Sequence, residues 1–422
     1  MHIAIITAGG AGMYCGSCMH DNTWARVLHD RGVEVSLIPT YTPIRVDEDN
    51  LSTNRVFFGG INVYLEFRSK LWRKLPRAVT SWVNAPWFIK LATKFSARND
   101  AKELGALTLS MLEGEQGPQA ADVQELAEYI STLNPDVVCF SNALLSGAVQ
   151  TIKQSYSGKI FCVLQGDDIF LNDLPEPYKS QVLEKLSACA QGFDGFITHS
   201  AYYRDYMADL LGLPVEKFHL LPLGMDFAGH DGQPVLRDNP APVIGYFARI
   251  CPEKGLHRLL DAFEILHAKH PNWKLKAGGY LGKRDAAYFK QILKQAAKFG
   301  SAFEYIGSPG SLQEKVVFYK SIDVFSVPTE YHEPKGLSVL ESLANGVPVV
   351  QPAHGAFPEM IGTTQGGLLC EPNNPADLAA KLEELLLDSE KRQALAKTGH
   401  EKIRNYYGPD ALADQTSEIF KK

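Results

Sequence analysis

Two short apolar runs, His2–Thr7 and Val243–Phe247, each lead into a glycine-bearing turn and then a helical pattern. Around the first, the turn carries Gly9, Gly10 and Gly12, residues 23–30 place Trp24, Val27 and Leu28 at helical spacing, and residues 33–38 form the next apolar run. Strand, turn, helix, strand is a βαβ unit, and runs that are apolar throughout belong to a parallel sheet covered on both faces. Further runs follow at 137–140, 159–164, 195–198 and 219–221. The pattern restarts at Val243, with a helix over 255–267 and runs near 273–277, 304–306, 323–327 and 348–350. This alternation predicts an α/β fold of two doubly wound domains, joined through the Gly- and Pro-bearing stretch 227–242.

Composition narrows the function classes. A length of 422 residues suits two or three domains. The net charge of −6 offers no global field for a nucleic acid. Seven cysteines over so long a chain do not form a disulfide framework. No basic leader precedes an apolar core at the start, and no apolar run approaches the ~18 residues of a membrane span, so the expectation is a cytoplasmic protein. Residues 62–102 depart from the alternation: they hold nine Lys or Arg against Glu66 and Asp100, with Trp72, Trp82 and Trp87. Such a segment reads as an inserted helical surface, as an acceptor-site lining, or as a contact for anionic lipid at the inner face of a membrane.

Four motifs carry chemistry. The first turn lacks G-x-G-x-x-G spacing, and residues 38–41 end the second run without an acid, which disfavours a dinucleotide site. Cys15-Gly16-Ser17-Cys18 is a C-x-x-C ahead of a helix; it has no second pair for zinc, and it reads as small residues packing a ligand-facing loop more readily than as a redox centre. Arg249 to Gly255 follows the first run of the second series and opens a helix, so Arg249, Lys254 and the free N–H groups make an anion site. Glu333 and Glu341 are eight apart around Pro334 and Gly336, one at the mouth of a helix and one inside its apolar face. A buried glutamate needs partners, and the two hydroxyls of a ribose would serve. The tandem Asp167-Asp168 reads as a helix N-cap.

Glu333 to Glu341 resembles the E-x7-E motif of retaining glycosyltransferases of family 4, which have the GT-B fold. Residues 15–20 resemble that family's first loop with its His at His20, Leu221 to Asp226 its P-x-G-x-D, Arg249 to Gly255 its R-x3-E-K-G loop, and Ala353 to Glu359 its G-x3-E loop. The resemblance implies two Rossmann-like domains facing across a cleft. Residues 1–225 would form the acceptor domain, with a C-terminal crossover helix at about 405–422, and 226–404 the nucleotide-sugar domain.

By the same resemblance Arg249 and Lys254 neutralise a diphosphate leaving group, Glu333 contacts the donor sugar, and Glu341 binds ribose. Gly336 and Leu337 offer N–H groups, while Gly16 and His20 complete the donor site. Gln165 stands where the family often has a His, and it becomes a sugar or acceptor contact that cannot titrate. The implied protein is a metal-independent, hexosyltransferase-like glycosyltransferase with no bound cofactor, a nucleotide-diphosphate sugar as co-substrate, and a glycan, lipid-linked or small-molecule acceptor. An epimerase or phosphorylase on the same fold, or a non-catalytic sugar-nucleotide binder, is the alternative.

Overall fold

The computed structural model describes residues 1–9, 15–46, 48–53, 55–69, 71–72, 101–230 and 241–421. It divides into two units, Met1–Leu221 together with Leu412–Lys422, and Pro222–Ala411.

The first unit is built on a six-stranded parallel sheet: β1 (His2–Thr7), β2 (Glu34–Pro39), β3 (Val137–Phe140), β4 (Lys159–Val163), β5 (Gly195–Thr198) and β6 (Phe218–Leu220), in the order β2-β1-β3-β4-β5-β6. Successive residues point to opposite faces, and both faces are apolar. Ile3, Ile5, Val137, Cys139, Phe161, Val163 and Ile197 join one core cluster, and Ala4, Ile6, Val138, Phe140, Ile160, Cys162 and Phe196 the other. That is why the strands read as unbroken apolar runs.

Helix Gly16–Asp30 packs on the first of these faces beside helix Pro409–Lys421, which brings Leu412, Ala413, Ile419 and Phe420 into the same cluster. The indole of Trp24 donates to Thr416 Oγ1 at 2.9 Å, both fully buried. Each large apolar side chain covered this way contributes about 1.5–3 kcal/mol, which ties the chain's last helix to its first.

Helix Gly16–Asp30 begins seven residues earlier than the 23–30 pattern predicts. Gly16 and Ser17 are weak helix formers and hide its start. Gly16 to His20 are therefore helical, and Cys18 faces the core rather than a ligand loop. The hydrogen bond to Cys15, then burial, push the Cys18 thiol upward.

The second unit repeats the architecture with β7 (Val243–Phe247), β8 (Lys274–Gly278), β9 (Phe303–Tyr305), β10 (Val324–Phe325), β11 (Val349–Pro352) and β12 (Gly367–Cys370), all parallel, in the order β12-β11-β10-β7-β8-β9. Strand order reverses between β7 and β10. In open α/β sheets the crevice beyond the carboxyl ends of two such strands is where ligands sit. The corresponding reversal in the first unit lies between β1 and β3. Among the described residues no helix is long and apolar enough to cross a membrane. The second and third tryptophans of the basic segment, Trp82 and Trp87, and most of the 231–242 end of the linker lie outside the described residues.

Candidate active site

The two strands at the reversal deliver the two motif loops. Arg249 to Gly255 leaves β7, and 328–336 leaves β10 before helix Leu337–Ala344. Glu330 N donates to Glu253 O at 3.0 Å, which fixes one loop on the other. Gly255 has φ +71°, and a Cβ there would lie 1.8 Å from Pro328 O, so only glycine allows this approach. The turn after β11 closes the third side, with Ala356 N donating to Glu333 O at 2.8 Å and His354 Nε2 donating to Thr329 O at 3.0 Å.

Lys254 and Glu333 meet at the centre. The ammonium donates to Glu333 Oε2 at 2.6 Å and to the Tyr331 hydroxyl. The Tyr331 hydroxyl in turn donates to the same carboxylate oxygen. Glu333 is only 7% exposed. Burial pushes its carboxyl up, but the charge of Lys254 and the hydrogen bonds from Lys254 and Tyr331 outweigh this and bring it down to about 2. Gly336 N approaches Glu333 Oε1 at 3.4 Å, at the start of helix Leu337–Ala344. Leu337 is half-buried against the core of the unit. Arg249 is exposed, and its Nε donates to Cys251 Sγ at 3.3 Å. The structure thus gathers Arg249, Lys254, Glu333, Gly336 and Leu337 around one edge of one sheet.

Glu341 lies inside the same helix, 6% exposed, with its partners already present. Lys315 Nζ donates to Oε1 at 2.7 Å and Tyr319 OH to Oε2 at 2.9 Å. Both come from helix Leu312–Lys320, four residues apart and so on one helical face. The sequence reading missed them. A lysine in a short polar helix reads as solvated, and only the spacing of Lys315 and Tyr319 hinted otherwise. Ribose hydroxyls are therefore not needed to compensate burial. A carboxylate offers about four acceptor positions, so the two protein donors leave capacity.

The remaining residues belong to the first unit. Gly16 is exposed, and a Cβ there would touch nothing within 4 Å. His20 is buried, with Nδ1 3.5 Å from Asp21 Oδ1 and its ring edge-on to His199 at 4.4 Å. Gln165 donates its amide to Asp21 Oδ1 at 2.8 Å, and Thr7 Oγ1 donates to Oδ2 at 2.6 Å. Asp21, fully buried, organises this edge of the sheet, and the sequence reading did not single it out.

Gly166, not Asp167, is the N-cap of helix Asp167–Asn172. The Asp167 carboxylate instead accepts from Gln165 N and Ala143 N, both at 3.1 Å, and ties β3's exit to β4's. Burial, opposed by these bonds, raises it to about 6. Among the described residues no group of three or more His, Cys, Asp or Glu is arranged to hold a metal ion.

Residues 231–402 match the family described as Glycosyl transferases group 1. That match falls within the second unit. Glycogen synthase of Mycobacterium tuberculosis is 27% identical to this chain over 234 residues, 54% of each protein, so the match spans about half the length of this curated relative. Among solved structures, sucrose-phosphate synthase of Thermosynechococcus elongatus covers 100% of this chain and 98% of its own, with a TM-score of 0.71 at 17% identity. Anabaena HepE in complex with UDP covers 100% of both, with a TM-score of 0.68 at 16% identity. These likenesses show the fold alone: two doubly wound units of GT-B type.

Proposed function

We propose that this chain is a retaining glycosyltransferase that binds a nucleotide-diphosphate sugar in its group 1 domain and transfers the sugar to a glycan, lipid-linked or small-molecule acceptor. The observation that carries the reading is the ion pair of Lys254 and Glu333 beside Arg249, at the strand reversal of a domain whose family transfers sugars.

Departure of a nucleoside diphosphate from an anomeric carbon leaves a cationic, oxocarbenium-like sugar and adds negative charge to the leaving oxygen. Preorganised positive groups aimed at that oxygen lower the barrier most. Arg249 and Lys254 supply two cations without a metal ion, and the first N–H groups of helix Leu337–Ala344 add the positive end of its dipole. Glu333, ionised at neutral pH, accepts from sugar hydroxyls and faces the developing positive charge. Glu341, held by Lys315 and Tyr319, has lone pairs left for ribose hydroxyls. In the first unit, Gly16 and His20 are the proposed donor contacts and Gln165 the proposed sugar or acceptor contact. The UDP in the HepE complex favours a uridine nucleotide, and residues 62–102 favour an acceptor presented at an anionic membrane on its cytoplasmic side.

Thermal melting with excess UDP, GDP, ADP and their sugar conjugates tests the reading. A ligand at 100 times its dissociation constant adds about 2.7 kcal/mol. One nucleotide series should raise the melting temperature of the wild type, and the exposed Arg249→Gln should abolish the rise. Turnover of that donor, with the product anomer read by NMR, then separates retaining transfer from epimerisation and from simple binding. No shift with any nucleotide, but a shift with phosphate and oligosaccharide, replaces the transferase with a phosphorylase. Equal pelleting with neutral and anionic vesicles removes the membrane contact.

A further inference from the structure

Lys254, Tyr331 and Glu333 form a closed triangle of hydrogen bonds. An ammonium only donates and a carboxylate only accepts. The phenol between them therefore accepts from Lys254 and spends its one O–H on Glu333. Its direction is set by its neighbours. Lys254 also lies over the Tyr331 ring, 4.9 Å from the centroid. Burial and then the charge of Glu333 hold the phenol well above its ordinary range, so it keeps its proton wherever the enzyme works.

The arrangement poses a problem that donor binding must solve. Lys254 is promised to Glu333 before any diphosphate arrives. A dianionic diphosphate beside Lys254 draws the ammonium toward itself and weakens its hold on Glu333. Glu333 would then be a buried carboxylate next to a second anion, left with a backbone N–H at 3.4 Å from its other oxygen and the more distant charge of Lys335. Such a group protonates or turns away. A neutral donor that does not compete for the phosphate prevents both.

We infer that Tyr331 is a positioning residue: its hydroxyl keeps the Glu333 carboxylate aimed and ionised while Lys254 turns its charge to the diphosphate of the donor. The inference rests on the proposed function, since it presumes a diphosphate at Lys254. The role does not extend to the sugar itself, so Tyr331 acts through Glu333 and not by contact with the reacting atoms. It separates two tasks that one salt bridge cannot perform together.

The test is Tyr331→Phe in the full chain, which keeps the ring and its contact with Lys254 and removes only the hydroxyl. Tyr305→Phe serves as the control, because that hydroxyl donates to Gly279 O and not to Glu333. The measurements are UDP and UDP-sugar dissociation constants, kcat, and the pH profile of kcat/KM. Tyr331→Phe should hold UDP within about threefold of the wild type, lose about tenfold or more in kcat, and move the acid limb of the profile to higher pH by about one unit, because a hydrogen bond to the ionised form is gone. Tyr305→Phe should match the wild type in all three. Unchanged kcat and an unmoved acid limb in Tyr331→Phe overturn the inference while leaving the proposed function standing. A loss of kcat with an unmoved acid limb also overturns it, since that is a packing defect. Absence of any nucleotide-diphosphate binding in the wild type overturns the proposed function and this inference together.

Discussion

Gln165 donates its side-chain amide to Asp21 Oδ1 across 144 residues of sequence. Because a carboxylate cannot donate, the amide nitrogen must face Asp21 and the carbonyl oxygen must face away. The residue that stands in place of an expected histidine is thereby oriented by a buried acid on another element. Asp21 also holds Thr7, so its loss strands two buried donors. Asp21→Ala should cost about 2–4 kcal/mol, and the near-isosteric Asp21→Asn about 1–2 kcal/mol, since hydrogen bonds to charged groups carry the larger share. Urea unfolding followed by tryptophan fluorescence measures both. Asp21→Asn at wild-type stability would show that the charge contributes nothing, and Asp21→Asn as costly as Asp21→Ala would show that the neutral amide keeps neither bond.

The Lys315–Glu341 pair, 2.7 Å apart and about 95% buried on the lysine side, makes a different prediction. Removing one partner of a buried ion pair is costly, while removing both is often mild. Lys315→Met should destabilise by about 3–5 kcal/mol because Glu341 keeps its charge with Tyr319 alone. Adding Glu341→Leu should recover a large part of that loss. The double-mutant cycle by urea denaturation reads the coupling directly, and additive effects would mean that the pair is not energetically linked.

Strands were the legible part of this chain. β1, β3, β5 and β7 coincide with the apolar runs, and the other strands except β12 fall within a few residues of them, because a strand buried on both faces has no choice but to be apolar. Glu333 and Glu341 were legible as a pair at fixed spacing. Their partners were not. Lys315 and Tyr319 belong to a helix with no distinguishing pattern, and Asp21 sits in the second turn of a helix whose start the sequence does not mark. Which charges meet depends on strand order, and strand order is not written in any local period. The start of helix Gly16–Asp30 was hidden for a different reason: Gly16, Ser17 and a buried Asp21 suppress the helical signal that tertiary packing then restores.

Two glycines of the second unit should respond in opposite directions to the same change. Gly255→Ala adds a Cβ at φ +71° against Pro328 O, so it should cost about 2 kcal/mol or more and weaken nucleotide binding about tenfold by displacing Lys254. Gly362, exposed within helix Phe357–Thr364, meets nothing within 4 Å. Gly362→Ala should stabilise by about 0.5–1 kcal/mol through helix propensity. Thermal and urea unfolding with parallel UDP titration distinguish them, and a tolerated Gly255→Ala would mean that the loop carrying Lys254 is not held by its contact with 328–330.

Acid should destabilise the fold in part through Glu333. Its carboxyl is lowered to about 2 in the folded protein, against 4.5 unperturbed. A depressed folded pKa means that the unfolded chain binds the proton first. The stabilisation is therefore complete above about pH 4.5 and is lost as pH falls toward 2. Its size is on the order of 3 kcal/mol, held by Lys254 first, then by Tyr331 and the charge of Lys335. Glu333→Gln cannot titrate, so its stability should fall less steeply than that of the wild type over this window and the two curves should converge toward pH 2. Urea unfolding at intervals from pH 6 to the lowest pH at which the fold persists gives the difference. Parallel curves would place the proton elsewhere, and with it the claim that Lys254 and Glu333 are paired before donor binds.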